Sequence, residues 1–382
     1  MNIDKVLTDT IDIKNINDII EKYKHRTIIN SKYVFEKKIG SGSFGSVFMG
    51  KNIISEDKVA IKFEGSTVEY PTLLWESKIL NHLAGIPGVV KLRYFGTEGN
   101  KNIIVMDLYS HTLYEEINRL KQSNILINDK DKDKESISES PKNDLLQIKT
   151  NTSSDKENNI IKDNNDYNVM DNVMDNINNE DIIKEHDELC NESYPKYTKD
   201  VTEHLISILQ IISKVHDAGV VHRDIKPENF MFNIEIKKDG CIEKKINIID
   251  FGLSRFYMKG DKHVTNTYNK SIVGTLRYIS RYVHEGNVYS RRDDIISIIY
   301  VAIYLIKGKL PWSGLIISKE EKRKKEELIY DKKIKTTSDV LCKGLPYLYK
   351  KLIDYAYKLD YDEKPDYLYM IRQCKNMLKE IK

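Results

Sequence analysis

The stretch His222-Arg223-Asp224-Ile225-Lys226-Pro227-Glu228-Asn229, followed by Asp250-Phe251-Gly252, decides how the rest of this chain is interpreted. The second motif comes directly after an apolar run from Ile246 to Ile249, which predicts a strand. Ahead of the first motif, a helix-like pattern leads straight into it. So many fixed spacings rarely coincide by chance. The two motifs supply two carboxylates, Asp224 and Asp250.

These residue types suit one kind of chemistry. Asp224 can accept or orient a hydroxyl proton, and Lys226 can offset charge on a moving phosphate. Asn229 and Asp250 are oxygen ligands of the kind that Mg²⁺ prefers. Together they predict in-line transfer of a phosphoryl group from a magnesium-bound nucleotide to a hydroxyl.

Length and composition narrow the class of protein. The 382 residues can form one large domain or two joined lobes, and the net charge of +3 is too small to indicate a nucleic-acid binder. Four cysteines lie far apart with no CxxC pair, which favours a reducing setting over zinc or disulfides. The longest apolar run, Ile295 to Ile306, is too short to span a bilayer and predicts a helix buried on all sides. We expect an intracellular protein of the cytoplasm or nucleus, with no membrane segment.

Charge is distributed unevenly along the chain. Residues 121–196 contain eighteen Asp and Glu against ten Lys, a local charge of −8, which leaves +11 on the rest of a chain whose total is +3. The segment is rich in Asn, Lys, Asp and Ser and lacks aromatic clusters, so it cannot bury enough apolar surface to offset the entropy of ordering. We therefore predict a disordered acidic insertion, with a short helix over residues 181–189 as an alternative.

Elsewhere the pattern is globular. Strands are predicted first and helices afterwards, which suggests two lobes with a cleft between them. Thr198 is a candidate cap for the helix before the first motif. The predicted strands cover Tyr33–Ile39, Ser46–Met49, Lys58–Phe63 and Asn102–Leu108, and the predicted helices Pro71–His82, Leu113–Leu120, Thr198 onward, Asp294–Lys307 and Leu345–Leu359.

A glycine-rich turn lies between the first two strands. Gly40-Ser41-Gly42-Ser43-Phe44-Gly45-Ser46-Val47 fits GxGxxGxV, in which glycines let backbone N–H groups approach phosphate oxygens. On its own this turn is also compatible with an ordinary flexible hairpin. Lys62, at the end of the apolar run Val59-Ala60-Ile61, strengthens the nucleotide interpretation, because such a lysine can contact the α- and β-phosphates. A solvated lysine at a strand end is the alternative.

The lysine needs a carboxylate to hold it in place. Glu76, in the middle of the predicted helix, is our choice, while Glu69 is the rival and precedes Pro71. Apolar residues on the predicted strands would form the walls of an adenine pocket, although periodicity cannot separate that role from ordinary core packing. These residues are Ile39, Val47, Ala60 and Ile249, with Met106 at the back and the backbone of Asp107 and Leu108 at the ring edge.

Several longer motifs resemble those of the casein kinase I family of Ser/Thr protein kinases. The resemblance runs from Tyr33 to about Leu378 apart from the insertion, and the usual Ala-Pro-Glu of kinases is missing, as in that family. Departures include Ser280-Arg281-Tyr282, Glu228 and Ser110-His111-Thr112. The matching motifs are Tyr70–Lys78, Gly274-Thr275-Leu276-Arg277-Tyr278-Ile279-Ser280, His284-Glu285-Gly286, Ser290–Asp294, Leu310–Leu315, Val340–Gly344 and Lys364-Pro365-Asp366-Tyr367.

The resemblance implies an α+β, bilobal protein kinase fold that uses ATP and Mg²⁺. Its N-lobe is expected at residues 31–107 and its C-lobe at 108–380, interrupted by the insertion 121–196 and preceded by an extension 1–30. It also implies Lys62, Glu76, Asp224, Lys226 and Asn229 as catalytic residues, and Asn229 and Asp250 as metal ligands. Asp294 is expected to anchor the backbone of the catalytic loop rather than to touch substrate.

For substrates, the resemblance implies Ser or Thr in acidic or already phosphorylated proteins. Arg277 matches the family's arginine of an anion site, and a lysine in Lys322-Arg323-Lys324-Lys325 matches its lysine, with Lys324 and Lys325 as our choices. Arginine binds phosphate in a bidentate fork, and +11 outside the insertion favours anionic partners. A solvated basic face is the alternative. We expect a monomer that binds protein substrates and no nucleic acid.

Three other interpretations stay open at the level of sequence. A relative of the vaccinia-related kinases would share the missing Ala-Pro-Glu. A pseudokinase or docking scaffold would use the fold for binding alone, although such proteins often lose one of the catalytic groups, and all are present in this chain. The acidic insertion could compete for a basic substrate cleft, or it could be a plain hydrophilic spacer.

Overall fold

The computed structural model describes residues 28–42, 45–65, 71–123, 194–195, 197–237, 239–268, 271–314 and 322–380. The described residues before 121 and after 193 belong to one unit. Most of the predicted insertion, residues 124–193 and 196, lies outside the described residues, as does the alternative helix at 181–189. Ser43, Phe44 and Glu69 also lie outside them.

The first part of the chain forms a six-stranded antiparallel sheet. The hairpin between its second and third strands closes where Gly42 pairs with Gly45. Gly45 has φ 118°, and a Cβ there would lie 1.9 Å from the carbonyl oxygen of Phe63, so only glycine fits. In the order β1-β2-β3-β4-β6-β5, the strands are β1 Ile28–Ile29, β2 Tyr33–Gly42, β3 Gly45–Asn52, β4 Lys58–Gly65, β6 Lys101–Asp107 and β5 Leu92–Glu98.

Helix α1, Thr72–His82, is fixed to this sheet by a carboxylate from β4. Glu64 accepts hydrogen bonds from Thr72 N (2.8 Å), Thr72 Oγ1 (2.6 Å) and Leu73 N (3.1 Å). These are donors that the first turn of a helix leaves unpaired, and a negative charge there also suits the helix dipole. Glu64 therefore joins the start of α1 to the strand that also carries Lys62.

The second part of the chain is mainly helical. Helix α5 is buried along nearly its whole length, which confirms the prediction made from the apolar run Ile295 to Ile306. The helices are α2 at 113–123, α3 Tyr197–Asp217, α4 Arg281–Glu285, α5 Arg291–Lys307, α6 Lys322–Lys335, α7 Ser338–Cys342, α8 Tyr347–Lys358 and α9 Tyr367–Glu380.

Short strands complete this part of the chain. One sheet has three strands in the order β10-β9-β7. Strands β9 and β10 form the segment between Asn229 and Asp250, and a 3₁₀ turn, Pro227–Asn229, comes directly before β9. The strands are β7 His111–Thr112, β8 Val220–Val221, β9 Phe230–Ile236, β10 Ile242–Ile248, β11 Arg255–Phe256, β12 Met258–Lys259 and β13 Lys262–His263. The architecture is α+β, with a strand-rich region followed by a helical one, as predicted.

Three local details differ from the sequence prediction. Helix α3 begins at Tyr197, so Thr198 is a buried residue of its first turn and not its cap. Strand β5 was not predicted, because its residues are nearly all half-buried and show no alternation. The sheet begins at Ile28, before the boundary predicted at residue 31, since Ile28 and Ile29 pair with Val34 and Tyr33.

The chain was not predicted to cross a membrane. Within the described residues, no helix combines the length and the apolar character that a bilayer span requires.

Candidate active site

A cavity opens between the six-stranded sheet on one side and, on the other, β9 and the residues that directly follow β10. Nine of the residues predicted for the nucleotide pocket line it together: Ile39, Gly45, Val47, Ala60, Lys62, Met106, Asp107, Leu108 and Ile249. Gly40, Ser41 and Gly42 form the end of β2 opposite β3, beside this cavity rather than in its lining. Val90, Tyr109 and Met231 also line it and were missed by the sequence analysis.

Lys62 is the centre of a buried charge network at the inner end of the cavity. Its Nζ lies 2.9 Å from Glu76 Oε2 and 3.0 Å from Asp250 Oδ1. Burial by itself would lower the pKa of Lys62, but the two carboxylates outweigh it and raise that pKa above its ordinary value. Burial would likewise raise the pKa of Asp250, yet the charge of Lys62 outweighs it and holds that pKa below its usual range. The lysine and Asp250 are therefore both charged at neutral pH.

Glu76 also ties the Asp250 motif to helix α1. Its Oε1 accepts a hydrogen bond from Phe251 N at 3.2 Å, while its side chain is fully buried. Asp250 has φ 62°, the left-handed region that costs a non-glycine residue roughly 1–3 kcal/mol. The bonds from Lys62 and Phe251 hold this conformation, which turns the Asp250 carboxylate toward the cavity.

Asp224 lies on the loop before the 3₁₀ turn and is almost fully buried. Its Oδ2 accepts hydrogen bonds from Lys226 Nζ at 2.5 Å and Asn229 Nδ2 at 3.3 Å. Its Oδ1 accepts one from Thr275 Oγ1 at 2.7 Å. Both carboxylate oxygens are thus oriented by neighbours, which suits a group that must meet an incoming hydroxyl in one geometry.

Asp294, at the start of α5, supports the backbone of this loop. Its two carboxylate oxygens accept hydrogen bonds from His222 N at 2.7 Å and Arg223 N at 3.0 Å. Arg223 has φ 72°, a second left-handed non-glycine residue, and this bond holds it. His216 Nε2 contacts the same carboxylate at 2.9 Å. The prediction that Asp294 anchors the loop is confirmed by these contacts.

Asn229 and Asp250 offer oxygen atoms of the kind that a magnesium ion prefers. The amide nitrogen of Asn229 donates hydrogen bonds to the backbone oxygen and to Oδ2 of Asp224, and its amide oxygen is an acceptor. Asp250 is bound to Lys62 through one oxygen, and its second oxygen is available. Mg²⁺ is bound through one or two such protein oxygens, with water and substrate phosphates completing its shell.

The residues predicted for an anion site lie in two elements of the helical region. The guanidinium of Arg277 lies over the rings of Tyr304 (5.0 Å) and Tyr278 (5.8 Å), which orient it, and among the described residues it forms no ion pair with a carboxylate. The neighbouring Tyr278 side chain raises the pKa of Arg277 above its ordinary value. Lys324 and Lys325 lie in the first turn of α6. The anion-binding role of these three residues stays a prediction.

Thr275 is the residue of most consequence that the sequence analysis did not assign to the site. It was quoted there only within a longer family motif, and its contact with Asp224 joins residues 51 positions apart. No local spacing signals such a contact. Met231 could have been found, because it alternates with the buried Phe230 and Phe232 on β9 and must face the other side of the sheet.

The amino-acid sequence also matches a family model that covers several of these site residues. The family model described as "Protein kinase domain" matches residues 156–377, which is more than half of the chain. The match includes Asp224, Asn229 and Asp250 and begins within the predicted insertion. Lys62 and Glu76 lie before it, so their assignment rests on the contacts described above.

Proposed function

Because the chain belongs to the protein kinase domain family, we propose that it transfers the γ-phosphate of ATP to serine or threonine in acidic or already phosphorylated proteins, in the manner of casein kinase I. Membership of the family supports a protein kinase. The choice of acceptor residue and the preference for acidic substrates are the proposal.

One observation supports an active phosphotransferase: the charged groups that phosphoryl transfer requires are present, and each is held by a neighbour. Lys62 bridges Glu76 and Asp250 at 2.9 and 3.0 Å, and Lys226 and Thr275 hold Asp224 at 2.5 and 2.7 Å. A binding scaffold has no need to retain this whole set. The arrangement therefore favours an active enzyme over the pseudokinase alternative.

In the proposed reaction, each of these side chains has a separate role. Asp224 receives or orients the proton of the acceptor hydroxyl, and Lys226 balances negative charge on the phosphoryl group as it moves. Lys62 would contact the α- and β-phosphates, and Asn229 and Asp250 would hold magnesium. The metal, when bound, neutralises charge that develops on the phosphate oxygens.

The substrate preference rests on charge and on the family resemblance. The chain outside residues 121–196 carries +11, and Arg277 lies just beyond Thr275 with its guanidinium packed over the rings of Tyr304 and Tyr278. An arginine without a carboxylate partner can bind a phosphate or an acidic side chain. The Leu310–Leu315 and Lys364–Tyr367 motifs favour a casein kinase I type over a vaccinia-related type.

The proposal is tested by transfer of ³²P from ATP to three peptides that differ only in an acidic, a phosphorylated or a neutral residue before the target. The Asp224→Asn variant should lose activity by a factor of about 10² to 10⁴, the usual contribution of a positioned proton acceptor. Asp261→Asn, in an exposed turn, is the matched control and should behave as wild type. A purified wild-type protein that binds ATP but phosphorylates none of the peptides would favour the scaffold instead.

A further inference from the structure

The segment between Thr275 and the start of α4 is held by its backbone carbonyl groups. Lys333 Nζ donates hydrogen bonds to Leu276 O at 2.8 Å and to Ile279 O at 2.6 Å. The indole Nε1 of Trp312 donates to Arg277 O at 2.8 Å. Two side chains from later in the chain therefore bind the backbone carbonyl groups of Arg277 and of residues on both sides of it.

Lys333 lies in an unusual environment for a lysine. It is 1% exposed and packs against the rings of Trp312 (5.4 Å) and Tyr300 (5.8 Å). Within the described part of the chain, its recorded polar contacts are the two carbonyl groups, and no ion pair with a carboxylate is found. Burial lowers the pKa of Lys333 well below its usual value. A lysine is costly to bury in this way, so the contacts that it makes must matter to the fold or to the function.

The segment held by Lys333 joins two parts of the site. Thr275 at its beginning binds Asp224, and Arg277 follows two residues later. On the other side, Lys333 belongs to α6, which also carries Lys324 and Lys325 roughly 12–14 Å away along the helix axis. Lys333 thus connects the helix with the predicted substrate lysines to the loop with the predicted substrate arginine.

The two ends of this segment are held by different contacts. The chain lacks the Ala-Pro-Glu motif that follows the activation segment in other kinases, and Ser280 stands in this region with its hydroxyl bonded to Asp293 at 2.5 Å. That bond fixes the end of the segment next to α4, while residues 276–279 depend on Lys333 and Trp312.

We propose that Lys333 is a positioning residue for substrate recognition: it anchors the backbone of residues 276–279 and so fixes Arg277 relative to α6, which sets the preference for acidic acceptors. This inference rests on the proposed function. Lys333 does not touch the reacting atoms, so its loss should change which peptides are used more than how ATP is used.

The test compares Lys333→Met with Lys307→Met. Methionine keeps the length and apolar stem of lysine but removes both hydrogen bonds. Lys307 is a matched control because its Nζ also donates to two carbonyl groups, Leu341 O and Lys343 O, both at 3.1 Å, at the far end of α5. Both variants should lose stability, but only Lys333→Met should lower the ratio of kcat/KM for acidic over neutral peptides. A shift of about 10- to 100-fold is expected, with the KM for ATP changed less than about twofold.

Hydrogen exchange of the amides of residues 275–280 gives a second readout that needs no activity. Exchange should become faster in Lys333→Met and stay unchanged in Lys307→Met. An unchanged peptide ratio in Lys333→Met, with stability lowered as in the control, would overturn the recognition role. Unchanged exchange would overturn the anchor itself. An inactive wild type would instead refute the proposed function, with the exchange result still deciding whether Lys333 is an anchor.

If Lys333→Met does not fold, Trp312→Phe decides the matter. Phenylalanine keeps a ring against Lys333 but cannot donate to Arg277 O. The peptide ratio should then shift in the same direction by a smaller factor, about three- to tenfold, and a ratio equal to wild type would contradict the proposal.

Discussion

Replacing Glu76 by glutamine tests whether the buried network controls nucleotide use. The change keeps the size of the side chain but removes its charge, so Lys62 retains Asp250 as its remaining carboxylate partner. A hydrogen bond to a charged group contributes about 1.5–3 kcal/mol, which corresponds to roughly a 10- to 150-fold change in an equilibrium constant. We expect Lys62 to move toward Asp250 and away from the phosphates, and kcat/KM for MgATP to fall by about that factor.

Stability should fall as well. Glu76 is fully buried and binds both Lys62 and Phe251 N, and loss of one partner of a buried pair costs up to about 3–5 kcal/mol. Since glutamine still offers an acceptor, we expect about 2–3 kcal/mol and a fall in Tm of roughly 4–10 °C.

The assay combines calorimetric binding of MgATP, steady-state kinetics and thermal unfolding. Glu64→Gln is the matched control, because Glu64 is a second buried glutamate on the same helix–strand interface that binds Thr72 and Leu73 rather than a lysine. It should lower Tm with a loss of kcat/KM below about threefold. If Glu76→Gln keeps wild-type kcat/KM for MgATP, Lys62 does not depend on this pair and the reasoning fails.

Two further predictions concern Thr275 and His284. Thr275→Ala removes the hydrogen bond to Asp224 Oδ1 and should lower kcat about 10- to 100-fold in the peptide assay, with the KM for ATP unchanged. Thr275→Ser keeps the hydroxyl group and should retain most of the activity. Equal loss of activity in both variants would show that the methyl group matters instead of the hydrogen bond. Burial, together with the nearby charge of Lys333, lowers the pKa of His284 to about 4. Between pH 6.5 and pH 4 the folded state therefore binds fewer protons than the unfolded state. The contribution of His284 to the free energy of unfolding is complete above pH 6.5 and is lost as the pH falls toward 4, by up to about 3 kcal/mol. Chemical denaturation across this range should show a smaller loss in His284→Phe than in wild type, and parallel curves would contradict the assignment.

Much of the candidate site could be predicted from the sequence because its groups lie within short, fixed spacings. Asp224, Lys226 and Asn229 share one loop, so their proximity follows from a single turn of chain. The pairing of Lys62 with Glu76 was predicted over fourteen positions, since a strand followed by a helix brings those positions together. Strand β5 was missed for the opposite reason, because half-buried residues on both faces leave no alternation to detect.

The sequence by itself determined which chemical groups the chain possesses, the order in which strands and helices follow, and the buried character of α5. Only the tertiary structure decided that Thr275 binds Asp224 and that Lys333 holds Leu276 and Ile279, contacts that span 51 to 57 positions. Periodicity reports which face of an element is buried, but not what it is buried against. A hydrogen bond between distant segments depends on how whole elements pack, and no short pattern of residues encodes that packing.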